Sequence, residues 1–315
     1  MKDVLDTLEG WNAEGLRFAT ATVVKTERSA PRAPGSVLAV SEKGEVAGSV
    51  TGGCVEPAVY GEAQDVLAGG PPRLVTYGIA DEEAFEVGLP CGGTVHIFLG
   101  MAERDLIDEL ASAVRDERPV ALATEISGTE IGKQRIVELN GHFEPAIDGD
   151  TFFLPFAPRP EMYVFGAVDH AGAMGRIGKF LGYRVTICDA RARFATRERF
   201  PDVDEVVVQW PDEFLRGAPV DERTAICVLT HDHKFDVPLL KVALETPAGY
   251  IGAMGAKRTT ESRNERLREE GVTDAQLARI HAPIGLRIGS RTPEEVAVAV
   301  AAEIVATRRK AAVPA

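Results

Sequence analysis

The sequence predicts an α/β protein: an α+β amino-terminal half, then a carboxyl-terminal half built on a parallel sheet. Three observations predict it. The chain has 315 residues, 45% of them hydrophobic, which suits about two domains with a sizeable core. Prolines 155, 158 and 160 crowd the stretch Phe152-Phe153-Leu154-Pro155-Phe156-Ala157-Pro158-Arg159-Pro160, and proline resists both helix interiors and central strands. Beyond that stretch, strand-like and helix-like segments alternate, as parallel strands with helical crossovers require. The expected division is a first domain over 1–150, a linker over 151–160 and a second domain over 161–315.

In the first half, residues 1–10 read as a short helix and Phe18 to Val24 as a strand, from its β-branched content. Val37 to Val40 and Glu45 to Val50 flank Lys43-Gly44 as a hairpin. Pro57 suits the first turn of a helix, and Val59, Ala63, Val66 and Leu67 recur at helical spacing behind it. Arg73 to Tyr77 and Thr94 to Leu99 read as strands, Arg104 to Arg115 as a helix, and Val120 to Ile126 and Arg135 to Leu139 as further strands. In the second half the expected strands are Met162–Phe165, Arg184–Cys188, Glu205–Val208, Ala225–Leu229 and Tyr250–Ile251, with helices at 170–181, 236–246 and 259–270. Thr292-Pro293-Glu294-Glu295 starts a last helix, with threonine as N-cap, proline at N1 and glutamate at N3.

The formal charge of −13 argues against nucleic acid as a partner, since phosphate backbones are held by Lys and Arg clusters and the only basic run is Arg308-Arg309-Lys310. No apolar stretch is long enough to span a membrane. The start, Met-Lys-Asp-Val-Leu-Asp, lacks the pattern of a secretory signal, so a cytoplasmic protein is expected. Of the four cysteines, Cys188 and Cys227 sit in apolar strands and read as small hydrophobes. Cys54 and Cys91 each neighbour a Gly-Gly pair, and no C-x-x-C pair suggests zinc or thioredoxin chemistry.

The second half opens like a nucleotide-binding unit. Gly166 ends its first strand, and Asp189 ends the second, about 20 residues later, where a dinucleotide fold places an acid for the ribose. The phosphate turn departs from the pattern, with Val168 and Ala171 in place of glycines, which counts against NAD(P) held in the ordinary mode. Thr230-His231-Asp232-His233-Lys234 follows the fourth strand, at the end of the sheet where ligands bind. His231 and His233 supply only two ligands for a metal; capping of a loop, or contact with an anion or a pterin, are the other readings. His281 is ambiguous in the same way.

The Thr51-Gly52-Gly53-Cys54-Val55-Glu56-Pro57 loop is a sharper signal. Its glycines let the chain fold closely around a ligand, and the helix behind it points amides and a positive dipole end at the loop. That field suits an anion, or a negatively charged sulfur. Arg32 adds a second cation, and Gly88-Leu89-Pro90-Cys91-Gly92-Gly93 offers another accessible thiol. The plain alternative is a pair of tight turns whose cysteines fill space.

Three segments, Ser29 to Gly35, Gly48 to Glu56 and Gly88 to Gly93, resemble the amino-terminal domain of the XdhC/CoxI family of xanthine dehydrogenase accessory proteins. The resemblance continues through Phe194-Ala195-Thr196, Leu229 to Asp232, Tyr250-Ile251-Gly252, Lys257-Arg258-Thr259 and Arg279 to Gly285. It implies a Rossmann-like second domain. It also implies a carrier of molybdenum cofactor, as molybdopterin or its cytosine dinucleotide, that works with a cysteine desulfurase and delivers to a molybdenum hydroxylase. The candidate cofactor contacts are Cys54, Cys91, Gly52, Gly53, Glu56, Arg32, Gly92 and Gly93 in the first half. In the second they are Gly166, Asp189, His231, His233, Arg258 and His281. Cys54 and Cys91 are the candidate metal ligands. An insertion chaperone is expected rather than a turnover enzyme, with an NAD(P)-dependent oxidoreductase as the alternative and a homodimer as the assembly. Two departures bear on the second domain: Val168-Asp169 where the family commonly has Gly-His, and Ala256 where it commonly has serine.

Overall fold

The computed structural model describes residues 1–315 apart from 2, 29, 31, 79–91, 140, 142 and 312–315, with side chains described as far as 308. The chain forms two units, Met1–Pro158 and Arg159–Ala315.

The first unit runs α1 (Leu5–Ala13), β1 (Phe18–Glu27), β2 (Val37–Ser41), β3 (Val46–Gly48), α2 (Glu56–Leu67), β4 (Arg73–Tyr77), β5 (Thr94–Met101), α3 (Arg104–Arg115), β6 (Val120–Glu125), β7 (Gln134–Glu138), β8 (Ala146–Asp148) and β9 (Thr151–Phe156). One sheet has the order β3-β2-β1-β5-β4 and the other β7-β6-β9-β8, and every pairing in both is antiparallel. The alternation along β1 sorts its side chains onto two faces. Ala19, Ala21 and Val23 meet Val59, Ala63 and Val66 of α2. Phe18 faces the other way, into a core with Leu8 and Trp11 of α1, Leu110 of α3, and Leu122, Phe152 and Phe156 of the smaller sheet. Gly48 closes β3 at φ +80°, and a Cβ there would stand 2.1 Å from the carbonyl oxygen of Val37, so no other residue fits.

The expected linker at 151–160 is corrected: Thr151–Phe156 is β9, a full strand paired along its length with β6. Pro155 is tolerated because β8 covers only Thr151 to Phe153. The proline lies beyond that neighbour, at a free edge where a missing N–H breaks no ladder bond.

The second unit runs β10 (Glu161–Phe165), α4 (Asp169–Phe180), β11 (Arg184–Cys188), β12 (Glu205–Val207), α5 (Pro211–Gly217), β13 (Ala225–Val228), α6 (His233–Glu245), β14 (Tyr250–Ala253), α7 (Lys257–Glu269), α8 (Asp274–Leu277), β15 (Ile280–His281) and α9 (Pro293–Ala311). The sheet is parallel throughout, in the order β12-β11-β10-β13-β14-β15. Strand order reverses between β10 and β13, the place where such sheets open a crevice at their carboxyl ends. Helices cover both faces. Met174 of α4 and Val300 and Ile304 of α9 pack on one side, and Leu239 and Leu240 of α6 with Leu267 of α7 on the other.

The expected threonine cap of the last helix is present. Thr292 Oγ1 accepts the Glu295 amide at 3.2 Å, and Glu295 accepts the Thr292 amide at 3.2 Å. The inner face of α9, with Val300 fully buried, is used within its own unit.

Candidate functional site

The Cys54 loop joins β3 to α2 and is held at both ends by fully buried side chains, Val50 and Val55. Between them Gly52, Gly53 and Cys54 are exposed. Gly52 and Gly53 take φ of +89° and +126° with open space where a Cβ would be. They are therefore required by backbone conformation and not by close packing.

The structure corrects the expectation that the loop's amides await a ligand. The Glu56 carboxylate already sits on them. Its Oε1 accepts the Ser49 hydroxyl at 2.6 Å and the amides of Val50, Thr51 and Gly52 at 3.2, 2.8 and 2.8 Å. Its Oε2 accepts the Thr51 hydroxyl at 2.7 Å and the Gly53 amide at 2.7 Å. Burial pushes this carboxyl up, but the hydroxyls of Ser49 and Thr51 and the amides of Thr51 and Gly52 outweigh it and hold the group far below the usual carboxylate range. Glu56 also lies in the first turn of α2, where an acid answers the helix dipole. Its role is to shape the loop that presents Cys54. The sequence carried the signal: hydroxyls at 49 and 51, two glycines, then an acid.

Cys91, the expected second sulfur, lies outside the described residues. Gly92, half-buried at φ +79°, and buried Gly93 lead into β5. Arg32, the expected second cation, stands 4.0 Å from Asp3, both of them exposed.

In the second unit the dinucleotide positions have internal occupants. Gly166 takes φ +108°, and a Cβ there would meet Thr230 Cγ2 at 2.9 Å. The Ala167 amide, in the turn where a pyrophosphate would approach, donates to Asp189 Oδ2 at 2.8 Å. Asp189, expected to meet a ribose, is 2% exposed. Arg191 grips it through Nε at 2.9 Å and Nη2 at 2.7 Å. Burial raises the Asp189 carboxyl, yet Arg191 and the Ala167 amide outweigh it and hold the group below its ordinary value. Arg191, which the sequence reading passed over, also lies 4.7 Å from the centroid of the Phe194 ring.

The H-x-H loop resolves into a helix start. Asp232 is the N-cap of α6 and accepts the Lys234 amide at 3.1 Å. His231 is exposed and His233 half-buried. Among the described residues no group of three or more His, Cys, Asp or Glu side chains is placed to hold a metal. His281 is built into the unit. It stacks on Tyr250 with ring centroids 4.8 Å apart, and its Nδ1 lies 3.4 Å from Glu303. Arg258 is exposed in the first turn of α7. Missed altogether was a buried pair, Asp236 and Arg263, 4.0 Å apart. The helix around Arg263, KRTTESRNERLRE, is so polar that nothing in the sequence singled out one buried arginine. Cys188 and Cys227 are both fully buried, as their apolar contexts predict.

Comparison with known proteins bears on family and fold. The XdhC and CoxI family model matches residues 11–78, and the XdhC Rossmann domain model matches residues 162–304. A protein of Bacillus subtilis (strain 168), named as a probable xanthine dehydrogenase subunit, is 25% identical, over 93% of this chain and 94% of that protein. The molybdenum cofactor insertion chaperone PaoD of Escherichia coli (strain K12) is 27% identical, over 91% of this chain and 82% of that protein. In fold, the chain is similar to the crystal structure of a xanthine dehydrogenase from Bacillus halodurans, with a TM-score of 0.71 and 23% identity over 97% of this chain and 96% of that one. The Gly-Gly-Cys loop thus falls within the first matched stretch and most of the parallel second unit within the other, and the chain belongs to the XdhC and CoxI family.

Proposed function

We propose that this chain is a maturation factor that binds molybdenum cofactor as cargo, supports its sulfuration and delivers it to a molybdenum hydroxylase of the xanthine dehydrogenase or carbon monoxide dehydrogenase type. Its relatives' names support a maturation role, one of them being a molybdenum cofactor insertion chaperone. The observation that carries the reading is Cys54, an exposed thiol on a loop held rigid by Glu56. A soft sulfur suits molybdenum better than a hard oxygen ligand does. The phosphate of the cargo does not fit the amides of Thr51, Gly52 and Gly53, because Glu56 fills them. Cys54 therefore meets the metal end, with Cys91 as the proposed second sulfur. A cysteine desulfurase as sulfur donor, a homodimer and a cytoplasmic setting complete the proposal.

The test is to purify the chain from a host that makes the cofactor and to measure bound molybdenum and pterin. The expected result is near-stoichiometric cargo in the parent and a marked loss in Cys54→Ser. Full loading of Cys54→Ser overturns the assignment of that sulfur, and a parent free of pterin and molybdenum overturns the carrier reading. The alternative, an NAD(P)-dependent oxidoreductase, would have to displace Arg191 from Asp189 and Asp189 from the Ala167 amide. A saturable fluorescence change on titration with NADH or NADPH would restore it.

A further inference from the structure

The carboxyl edge of the second unit has helix starts of two kinds. Helix α4 opens with Asp169, and α6 is capped by the Asp232 carboxylate. Helix α7 has no side-chain cap and no acid in its first turn, where Lys257 and Arg258 stand exposed.

Unpartnered polar atoms lie on α7 and on the neighbouring α6. Arg263 is fully buried. Its side chain runs back toward the start of α7, as helical side chains do, and Nη1 donates to the Met254 carbonyl at 2.9 Å, just ahead of the helix. Nε and Nη2 form the other, two-pronged edge of the guanidinium, and both are buried with no partner. Thr260 Oγ1, one turn earlier on the same helix, is likewise buried and unpartnered, and so is Nδ1 of His233 on the first turn of α6. Asp236 offsets the charge but leaves these donors alone. One of its oxygens accepts the Thr230 hydroxyl, and the other is 4.0 Å from Nη1, beyond hydrogen-bond range.

Buried polar groups are almost always paired, so the two orphaned donors of Arg263 call for an occupant. A guanidinium cannot shed its proton, and its two-pronged edge matches a pair of oxygens on one oxyanion. A helix start without an acid favours the same sign of charge.

We propose that the start of α7 is a phosphate seat, in which the free edge of Arg263 and the hydroxyl of Thr260 hold the phosphoryl group of a phosphate-bearing ligand. The exposed Lys257 and Arg258 draw the anion to it. The donors are sealed from solvent in this structure, so the seat fills as the turn Met254-Gly255-Ala256 gives way. The seat does not depend on the Cys54 reading, because its probe contains no pterin and no metal.

The test is thermal unfolding of the full chain, titrated with inorganic phosphate and separately with acetate at matched ionic strength. A ligand of the folded state raises the melting temperature saturably. The expected result is a saturable rise with phosphate and not with acetate, with half-saturation about tenfold weaker in Thr260→Val and in Arg258→Ala. Arg263→Lys, which keeps the charge and loses the edge, abolishes the response; if that variant does not fold, Thr260→Val, which keeps the shape, decides. No saturable rise, an equal response to acetate, or a response unchanged in Thr260→Val overturns the proposal and leaves water as the occupant. Cys54→Ser keeps the phosphate response whatever happens to cargo binding, so the two readings fail separately.

Discussion

The carboxylate of Glu56 accepts the amide of Gly53 at 2.7 Å, immediately before Cys54 in the chain. This contact and its neighbours make the exposed turn a fixed object. Replacing Glu56 by alanine removes the acceptor of the Thr51 and Gly53 amides and of the Thr51 hydroxyl, and should cost about 2 kcal/mol. A urea titration of Glu56→Ala against the parent measures it, and a difference near zero would show that water replaces the carboxylate without loss.

The same carboxylate gives a pH dependence of known sign. Its value in the folded chain lies far below that of an unfolded glutamate, about 4.3. The stabilisation is therefore complete above that pH and declines as pH falls through it toward the folded value. The stability gap between the parent and Glu56→Gln should narrow from neutral pH toward pH ~3. A gap that is constant over this range would mean that the charge contributes nothing.

Thiol accessibility should separate the cysteines. In a Cys91→Ser background, Cys54 should react with an alkylating reagent in the folded protein. Cys188 and Cys227 should react only after unfolding, since burial pushes both thiols up to about 12. Mass spectrometry after a short pulse gives the count, and more than one adduct on the native chain contradicts the burial described here.

Gly166→Ala should destabilise the second unit by about 2 kcal/mol. The new Cβ meets Thr230 Cγ2 at 2.9 Å, and the backbone sits at φ +108°. Denaturant unfolding checks this, and a neutral substitution would show that the turn relaxes freely.

Glu303→Gln tests whether His281 is structural. Glu303 Oε2 accepts the Tyr250 hydroxyl at 2.7 Å and the Gly285 amide at 2.9 Å, and His281 lies beside the same carboxylate. A loss of about 1–2 kcal/mol in stability, with cargo loading unchanged in the folded variant, is the expected pattern. Loss of cargo at unchanged stability would return His281 to the candidate ligands.

Much of the fold was legible because its signals are local. Helix α3 was expected at Arg104 to Arg115 and is found there, since Ile107, Leu110 and Ala111 repeat at helical spacing. The parallel strands were legible as short apolar runs. Strand β9 was not, because Pro155 reads as a breaker until the partner strand is seen to stop at Phe153. The site was legible in part. The turn around Cys54 could be located, but the hydrogen bonds of Glu56 depend on how the chain closes back on itself. Asp189 was placed correctly at the end of β11, and its capture by Arg191 left no mark in the spacing. Arg263 was invisible for the reason that makes it unusual: a charged side chain in a charged helix, turned inward.

The filled anion nest also dictates a direction. A pterin cargo has a metal at one end and a negatively charged tail at the other. The turn beside Cys54 already carries a carboxylate, held by Ser49, Thr51 and the loop amides. A tail-first approach meets like charge there, and the amides of Thr51, Gly52 and Gly53 are already taken. On the carrier reading, cargo docks head-first, and its tail trails outward, where a receiving enzyme could grasp it before the sulfur lets go.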